Sequence, residues 1–245
     1  RRRGLAIERA GFFPDFVPLI GGIPHGHFDD IALQADWYTG DCVMEAPGEP
    51  KVTDLEWAET RVERRGDGAI AVHGAIHTPM GPIRKVMHFS ATAPRIDFDI
   101  AFDWENWGRG SLRLGHVTLL QESFQKDDLV LTTNNGGHAS EHFRLGGKTI
   151  EHGAPVSFLV SASCALGMTE GWAELSDGRR GVRIEVEREE SPLIGLLVHR
   201  VTGGKLFCQL ILSALELDDT RKPMPYREGP RRVRFSIAGN EAKPG

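Results

Sequence analysis

The chain has 245 residues, enough for one large β domain or two small ones with a real hydrophobic core. With 29 Lys and Arg against 34 Asp and Glu, its formal net charge is −5, the wrong sign for a domain that grips nucleic acid. No apolar run nears the roughly 18 residues a membrane helix needs, so neither nucleic acid nor a membrane is an expected partner.

The three cysteines, Cys42, Cys164 and Cys208, are odd in number and widely spaced, which fits neither a disulfide framework nor a zinc motif. Cys164 and Cys208 fall in apolar, strand-like runs where buried free thiols are expected, so a reducing, cytoplasmic setting is preferred.

Along the chain, the first polar segment is "IPHGHFDDIALQADWYTGD", residues 23–41. Its "DDIALQADWYTGD" portion has room for a turn or two of helix. If extended, it places His25, His27 and Asp29 on one strand face, a spacing that suits a metal ion. As a loop, it lets the same residues line a sugar pocket with Trp37 and Tyr38, because aromatic faces pack on a pyranose while carboxylates and imidazoles bond its hydroxyls. Gly21, Gly22, Pro24 and Gly26 equally suit a plain polar turn whose Asp and His satisfy the backbone locally.

"TDLEWAETRVERR" has only a superficial helical look. "GAIAVHGAIHT" and "IRKVMHFSA" read as strands, and "RIDFDIAFDW" (95–104) alternates cleanly. Its apolar set is Ile96, Phe98, Ile100, Phe102 and Trp104, and its polar set includes Asp97, Asp99 and Asp103. Successive strand side chains point to opposite faces, so this strand has one buried and one wet face. "DWENWGRG" (103–110) follows. Asp103 and Glu105 share a face at roughly the 6–7 Å expected of alternate strand residues. That separation falls within the window for a glycosidase carboxylate pair. A plainer reading has Trp104 capping the core and the acids pairing with Arg109 or Arg113.

"SLRLGHVTLL" is another strand. "TTNNGGHASEHFRLGG" (132–147) carries Asn134, Asn135, His138, Glu141 and His142. Its glycines speak against a helix, and the order of His and Glu departs from that of zinc hydrolases. A loop reaching sugar hydroxyls and a plain surface loop are the two remaining readings. "APVSFLVSASCAL" and "KLFCQLILSALEL" are apolar on nearly both faces, as strands covered on both sides are. "SDGRRG" is a hairpin turn. "GVRIEVER" puts Val182, Ile184 and Val186 inside and Arg183, Glu185 and Glu187 outside, and "RRVRFSI" repeats the pattern through Val233, Phe235 and Ile237. His73, His77, His88 and His116 lie in strand patterns, where a lone histidine is ordinarily packed or solvated.

With 29 Gly and 14 Pro punctuating short strands, the expected fold is all-β. The expectation is a large antiparallel β super-sandwich with few helical turns, one domain over residues 1–240 and a frayed tail at 241–245.

Three stretches carry a resemblance. "RVERRGDGAIAVHGAIHTPMGPIRKVMHFSATAPRIDFDIAFDWENW", "GWAELSDGRRGVRIEVE" and "LILSALELDDTRKP" resemble, in order, the C-terminal β-domain of α-mannosidase-type glycoside hydrolases. The likeness runs from about residue 60 to 237. It implies a galactose-mutarotase-like super-sandwich with carbohydrate as ligand, and no cofactor is expected. In those hydrolases the catalytic carboxylates lie on an α/β barrel, and this sequence has no βα periodicity, so a barrel domain or subunit is an implied partner.

Three functions are expected to compete. The first is a carbohydrate-associated domain that supports or completes a glycoside hydrolase site and contacts glycan. The second is a free-standing sugar-active enzyme (epimerase, lyase or hydrolase) using His and carboxylate as acid and base. The third is a non-catalytic assembly subunit. For the first two, the expected catalytic residues are Glu105, His138 and Glu141. The expected substrate contacts are His25, His27, Asp29, Trp37, Tyr38, Asp103, Trp107, Asn134 and Asn135.

Overall fold

The structure, a computed structural model, describes residues 3–23, 38–46, 48–105, 107, 110–150, 166–216 and 229–241. These form the expected all-β, antiparallel sandwich, and a single 3-10 turn at Gln121–Ser123 is the helical element among the described residues. The strands are β1 (Arg9–Gly11), β2 (Pro18–Gly21), β3 (Cys42–Glu45), β4 (Val52–Thr53), β5 (Ala58–Arg64) and β6 (Ile70–Thr78). They continue with β7 (Gly81–Phe89), β8 (Arg95–Phe102), β9 (Ser111–Thr118), β10 (Val130–Thr133), β11 (Glu141–Arg144) and β12 (Gly167–Met168). The last five are β13 (Trp172–Ser176), β14 (Arg180–Val186), β15 (Ile194–Thr202), β16 (Lys205–Leu215) and β17 (Arg232–Glu241).

One sheet has nine strands in the order β11-β10-β13-β14-β17-β8-β7-β6-β5. A second has six, β12-β15-β16-β9-β3-β4, and β1 and β2 form a separate ribbon. Every neighbouring pair is antiparallel.

Turn chemistry fixes the hairpins. Gly203 and Gly204 have φ of +57° and +78°, the two-residue turn that joins β15 to β16 without splaying them. In "SDGRRG" the Asp177 carboxylate accepts hydrogen bonds from the N–H groups of Arg179 (2.9 Å), Arg180 (2.8 Å) and Gln125 (2.8 Å). One side chain thereby closes the β13–β14 turn and anchors the segment after the 3-10 turn.

Burial alternates along β8 as its sequence pattern requires, with Ile96, Phe98, Ile100 and Phe102 inside. Phe98 stacks on its cross-strand neighbour Phe235, ring centroids 4.6 Å apart. The six-stranded sheet answers with Leu112, Leu114, Leu210 and Leu212, all fully buried. β16 is buried on both faces over most of its length, as "KLFCQLILSALEL" predicts. β17 runs on to Glu241, so the last strand reaches the first residue of the expected tail.

Within the six-stranded sheet, β16 and β9 pair through a β-bulge that faces Phe235 of the other sheet. Leu210 pairs with Val117 and Leu212 with Leu114, so Ile211 alone stands against Gly115 and His116. Gly115 has φ +77°, and a Cβ there would meet Leu212 at 3.2 Å and the Phe235 ring at 3.5 Å. The bulge turns His116, itself at φ +37°, toward Asp41, with Nδ1 3.0 Å from the carboxylate Oδ1. Burial works against a charge on His116, but Asp41 outweighs it and raises the imidazole pKa.

A second departure from an apolar interior lies on β7, where Lys85 occupies the inward row between Ile83 and Met87. Its ammonium pairs with Asp54 and donates to the carbonyls of Gly4 (3.0 Å) and Gly40 (2.7 Å). Asp54 also accepts the Cys42 N–H at 3.0 Å. This network joins the N-terminal segment, β3, the end of β4 and β7, and Lys85 and Asp54 are both fully buried.

Candidate functional site

The outward face of the nine-stranded sheet is where the wet halves of several alternating strands meet. Pairing places Trp172 opposite Glu185, Glu185 opposite Ser236, Ser236 opposite Asp97, and Asp97 opposite His88. This row crosses β13, β14, β17, β8 and β7, four strand spacings or about 19 Å. Its middle opens as a hollow of about 340 Å³, within the size range of small-ligand sites.

The hollow is held by ion pairs. Arg95 Nε donates to Asp97 Oδ1 at 2.6 Å and its Nη1 to Glu185 Oε2 at 3.3 Å. Arg183 donates to Glu185 at 2.7 Å and lays its guanidinium over the Trp172 ring at 4.4 Å, so indole and guanidinium fix each other. In the next row Arg234 stands opposite Asp99 and donates to it, Arg232 donates to Asp99 from one row further along, and Arg234 also reaches Glu190 at 2.6 Å.

Arg183 above all, together with Arg95, holds the Glu185 carboxyl below the usual carboxylate range. Burial opposes charge on Asp99, yet Arg232 and Arg234 outweigh it and lower its pKa too. Both groups are therefore fixed as carboxylates at neutral pH. They accept hydrogen bonds, and they hold no proton for a leaving group. Among the described residues no cluster of three His, Cys, Asp or Glu gathers as metal ligands.

The sequence-derived candidates fall in three places. His25, His27, Asp29 and Trp37 lie outside the described residues, as do Cys164 and residues 29–37 of the expected helical stretch, whose end at 38–41 is not helical. Tyr38 is buried, with the Arg3 guanidinium 5.0 Å over its ring, so it lines no surface.

The second place is the end of β8. Trp104 is buried as expected and donates to the Gly81 carbonyl at 3.1 Å. Trp107 packs against Trp104 and Phe102 with centroids 4.9 and 5.7 Å apart. It is part of an aromatic cluster that closes the sandwich rather than a flat outer platform. Asp103 pairs with Arg84 from β7, and Arg113 with Glu216 at 2.9 Å, so the Arg113 pairing expected for Asp103 or Glu105 gives way to closer partners. Glu105 is exposed.

The third place is the β10–β11 loop. Asn134 forms a local turn, its side chain bonded to Gly136 N–H (2.9 Å) and the Gly137 carbonyl (3.1 Å). Asn135 donates to Glu141 at 2.8 Å. Asn135, His138 and Glu141 are exposed. Five strand spacings, about 24 Å, separate β8 from β11, so Glu105 does not share a constellation with His138 and Glu141. Thr133 pairs with Ala173, however, which sets Asn134 beside Trp172 at one end of the outer row.

Solved structures similar to the chain include a glycoside hydrolase and galactose-mutarotase-like proteins. A GH36 α-galactosidase of Geobacillus stearothermophilus, solved with raffinose, matches 91% of this chain at 10% identity and a TM-score of 0.48. The matched region is 32% of that enzyme, so the chain spans about a third of its length. A putative aldose 1-epimerase of Escherichia coli matches 97% of the chain and 93% of its own length, at 12% identity and a TM-score of 0.46. A galactose mutarotase-like protein of Clostridium acetobutylicum matches 81% of the chain and 74% of its own, at 8% identity and a TM-score of 0.42. No protein-family model matches the chain, and no curated protein matches it.

Nothing in the sequence alone singles out the residues of the outer row, His88 among them. The available signal was the shared wet face of "RIDFDIAFDW", "GVRIEVER" and "RRVRFSI"; what it lacked was the register that aligns them.

Proposed function

We propose that the chain is a carbohydrate-binding sandwich that holds glycan along the outer face of its nine-stranded sheet. In this reading it serves as the recognition part of a glycoside hydrolase assembly whose catalytic barrel is a further domain or subunit. The observation that carries this reading is the in-register row from Trp172 to His88, opening as a hollow of about 340 Å³. Its chemistry suits a polyol. The Trp172–Arg183 stack offers a flat surface for a sugar ring, Glu185, Asp97 and Asp99 accept from hydroxyls, and Arg95 and Arg234 donate to ring and hydroxyl oxygens. The fixed charge states of Glu185 and Asp99 favour holding a sugar over protonating one. Asn134 and Asn135, at the Trp172 end, extend the surface toward the next sugar unit.

The test is a glycan array probed with the purified chain, with mass spectrometry for product on each hit. Binding without product supports the proposal. Turnover by the chain alone transfers it to the enzyme reading, and no binding to any glycan overturns it.

A further inference from the structure

The nine-stranded sheet ends at β5, and no strand flanks its outer side among the described residues. Residues 61–64 of β5 are all exposed. Four large apolar side chains stand exposed among the described residues, and two belong to this edge: Val62, 62% exposed, and Trp57, 55% exposed, just before the strand. Along residues 61–64 no strand among the described residues takes the outward backbone N–H and C=O groups, and such an edge can accept any strand that aligns with it.

We propose that β5 pairs with β5 of a second copy of this chain, antiparallel and centred on Val62, joining two nine-stranded sheets into one. The pattern "ETRVER" (59–64) is complementary to itself in that register. Val62 meets the partner's Val62. On the outer face Arg61 meets the partner's Glu63, and Glu63 meets the partner's Arg61. Thr60 meets the partner's Arg64 on the other face. Trp57 comes alongside the partner's β5–β6 turn.

The neighbouring registers are penalised. A shift of the two-fold axis to residue 61 sets Arg61 against Arg61 and Glu59 against Glu63. A shift to residue 63 sets Glu63 against Glu63 and Arg61 against Arg65. A one-residue slip turns the outer face of one copy against the inner face of the other. Within the chain, Glu63 lies 3.3 Å from Arg61 and 3.5 Å from His73, so its carboxylate already sits on the outer face beside that arginine.

Sedimentation equilibrium on the whole chain tests this with Arg61→Glu, Glu63→Arg and the double swap, thermal melts confirming that each is folded. The wild type is expected to dimerise reversibly. Each single swap puts like charges opposite each other at both symmetry-related positions and weakens the dimer by about tenfold or more. The double swap restores it. A wild type that stays monomeric, single swaps that dimerise like the wild type, or a double swap that fails to recover each overturns the proposal. None of these outcomes depends on whether the outer hollow binds glycan.

Discussion

Lys85→Met removes the cation from the interior while keeping a side chain of similar length. The Asp54 carboxylate, 0% exposed, then loses its counter-charge, and the carbonyls of Gly4 and Gly40 lose a donor. Breaking a buried pair by deleting one partner costs about 3–5 kcal/mol, because it strands a charge in a medium that cannot solvate it. The two carbonyls push the expectation to the upper end of that range. For a chain of this size, each kcal/mol is about 2–4 °C, so the melting temperature should fall by about 6–20 °C.

The loss must also depend on pH in a defined direction. Burial already pushes the Asp54 carboxyl up, with only Lys85 pulling strongly the other way. Without Lys85 its folded pKa rises further. A carboxyl whose folded pKa is raised contributes stability at low pH and loses it as pH rises through the folded value. The gap between Lys85→Met and wild type should therefore narrow on acidification and widen toward neutrality. Urea denaturation across a pH series measures this, with Lys85→Met/Asp54→Asn as the companion variant. The double variant should be more stable than Lys85→Met alone at neutral pH. A Lys85→Met cost under about 1 kcal/mol, or a cost that ignores pH, refutes the reasoning.

Other perturbations follow from single contacts. Phe98→Ala should cost about 3–5 kcal/mol in urea denaturation, since the ring is 2% exposed and stacked on Phe235. Gly115→Ala should cost about 1–3 kcal/mol by the same assay, because φ is +77° and the new methyl presses on Leu212. His116→Gln should be less stable than wild type at acid pH, and the gap should close as pH rises. The imidazole pKa is raised by Asp41, so its stabilisation is complete below the unfolded value and fades as pH climbs through the folded one. A gap that grows with pH contradicts that assignment.

The fold was readable where period-two alternation is strong. In β8, Phe98 and Ile100 went inside and Asp97 and Asp99 outside as the pattern required, and Arg183 and Glu185 did the same on β14. The "SDGRRG" turn and the double-sided burial of β16 were equally plain. Lys85 was not legible, because alternation places it inside but says nothing of Asp54, which arrives from another hairpin to neutralise it. His116 was hidden by the bulge, since a two-against-one pairing shifts the face that counting assigns. The outer row was invisible for a different reason. Trp172, Glu185, Ser236, Asp97 and His88 come from five strands scattered through the chain, and only pairing register brings them into line. The loop acids and histidines cluster in sequence, whereas β-sheet sites cluster across strands.

The most direct measurement of the central claim is calorimetric titration of an array-selected glycan into wild type, Trp172→Ala, Asp97→Ala and Asn135→Ala. A groove along the outer row predicts that Trp172→Ala and Asp97→Ala each weaken binding by about tenfold or more, the loss expected of a contact worth at least about 1.4 kcal/mol. Unchanged affinity in both, with the loss confined to Asn135→Ala, contradicts it and puts the site on the β10–β11 loop.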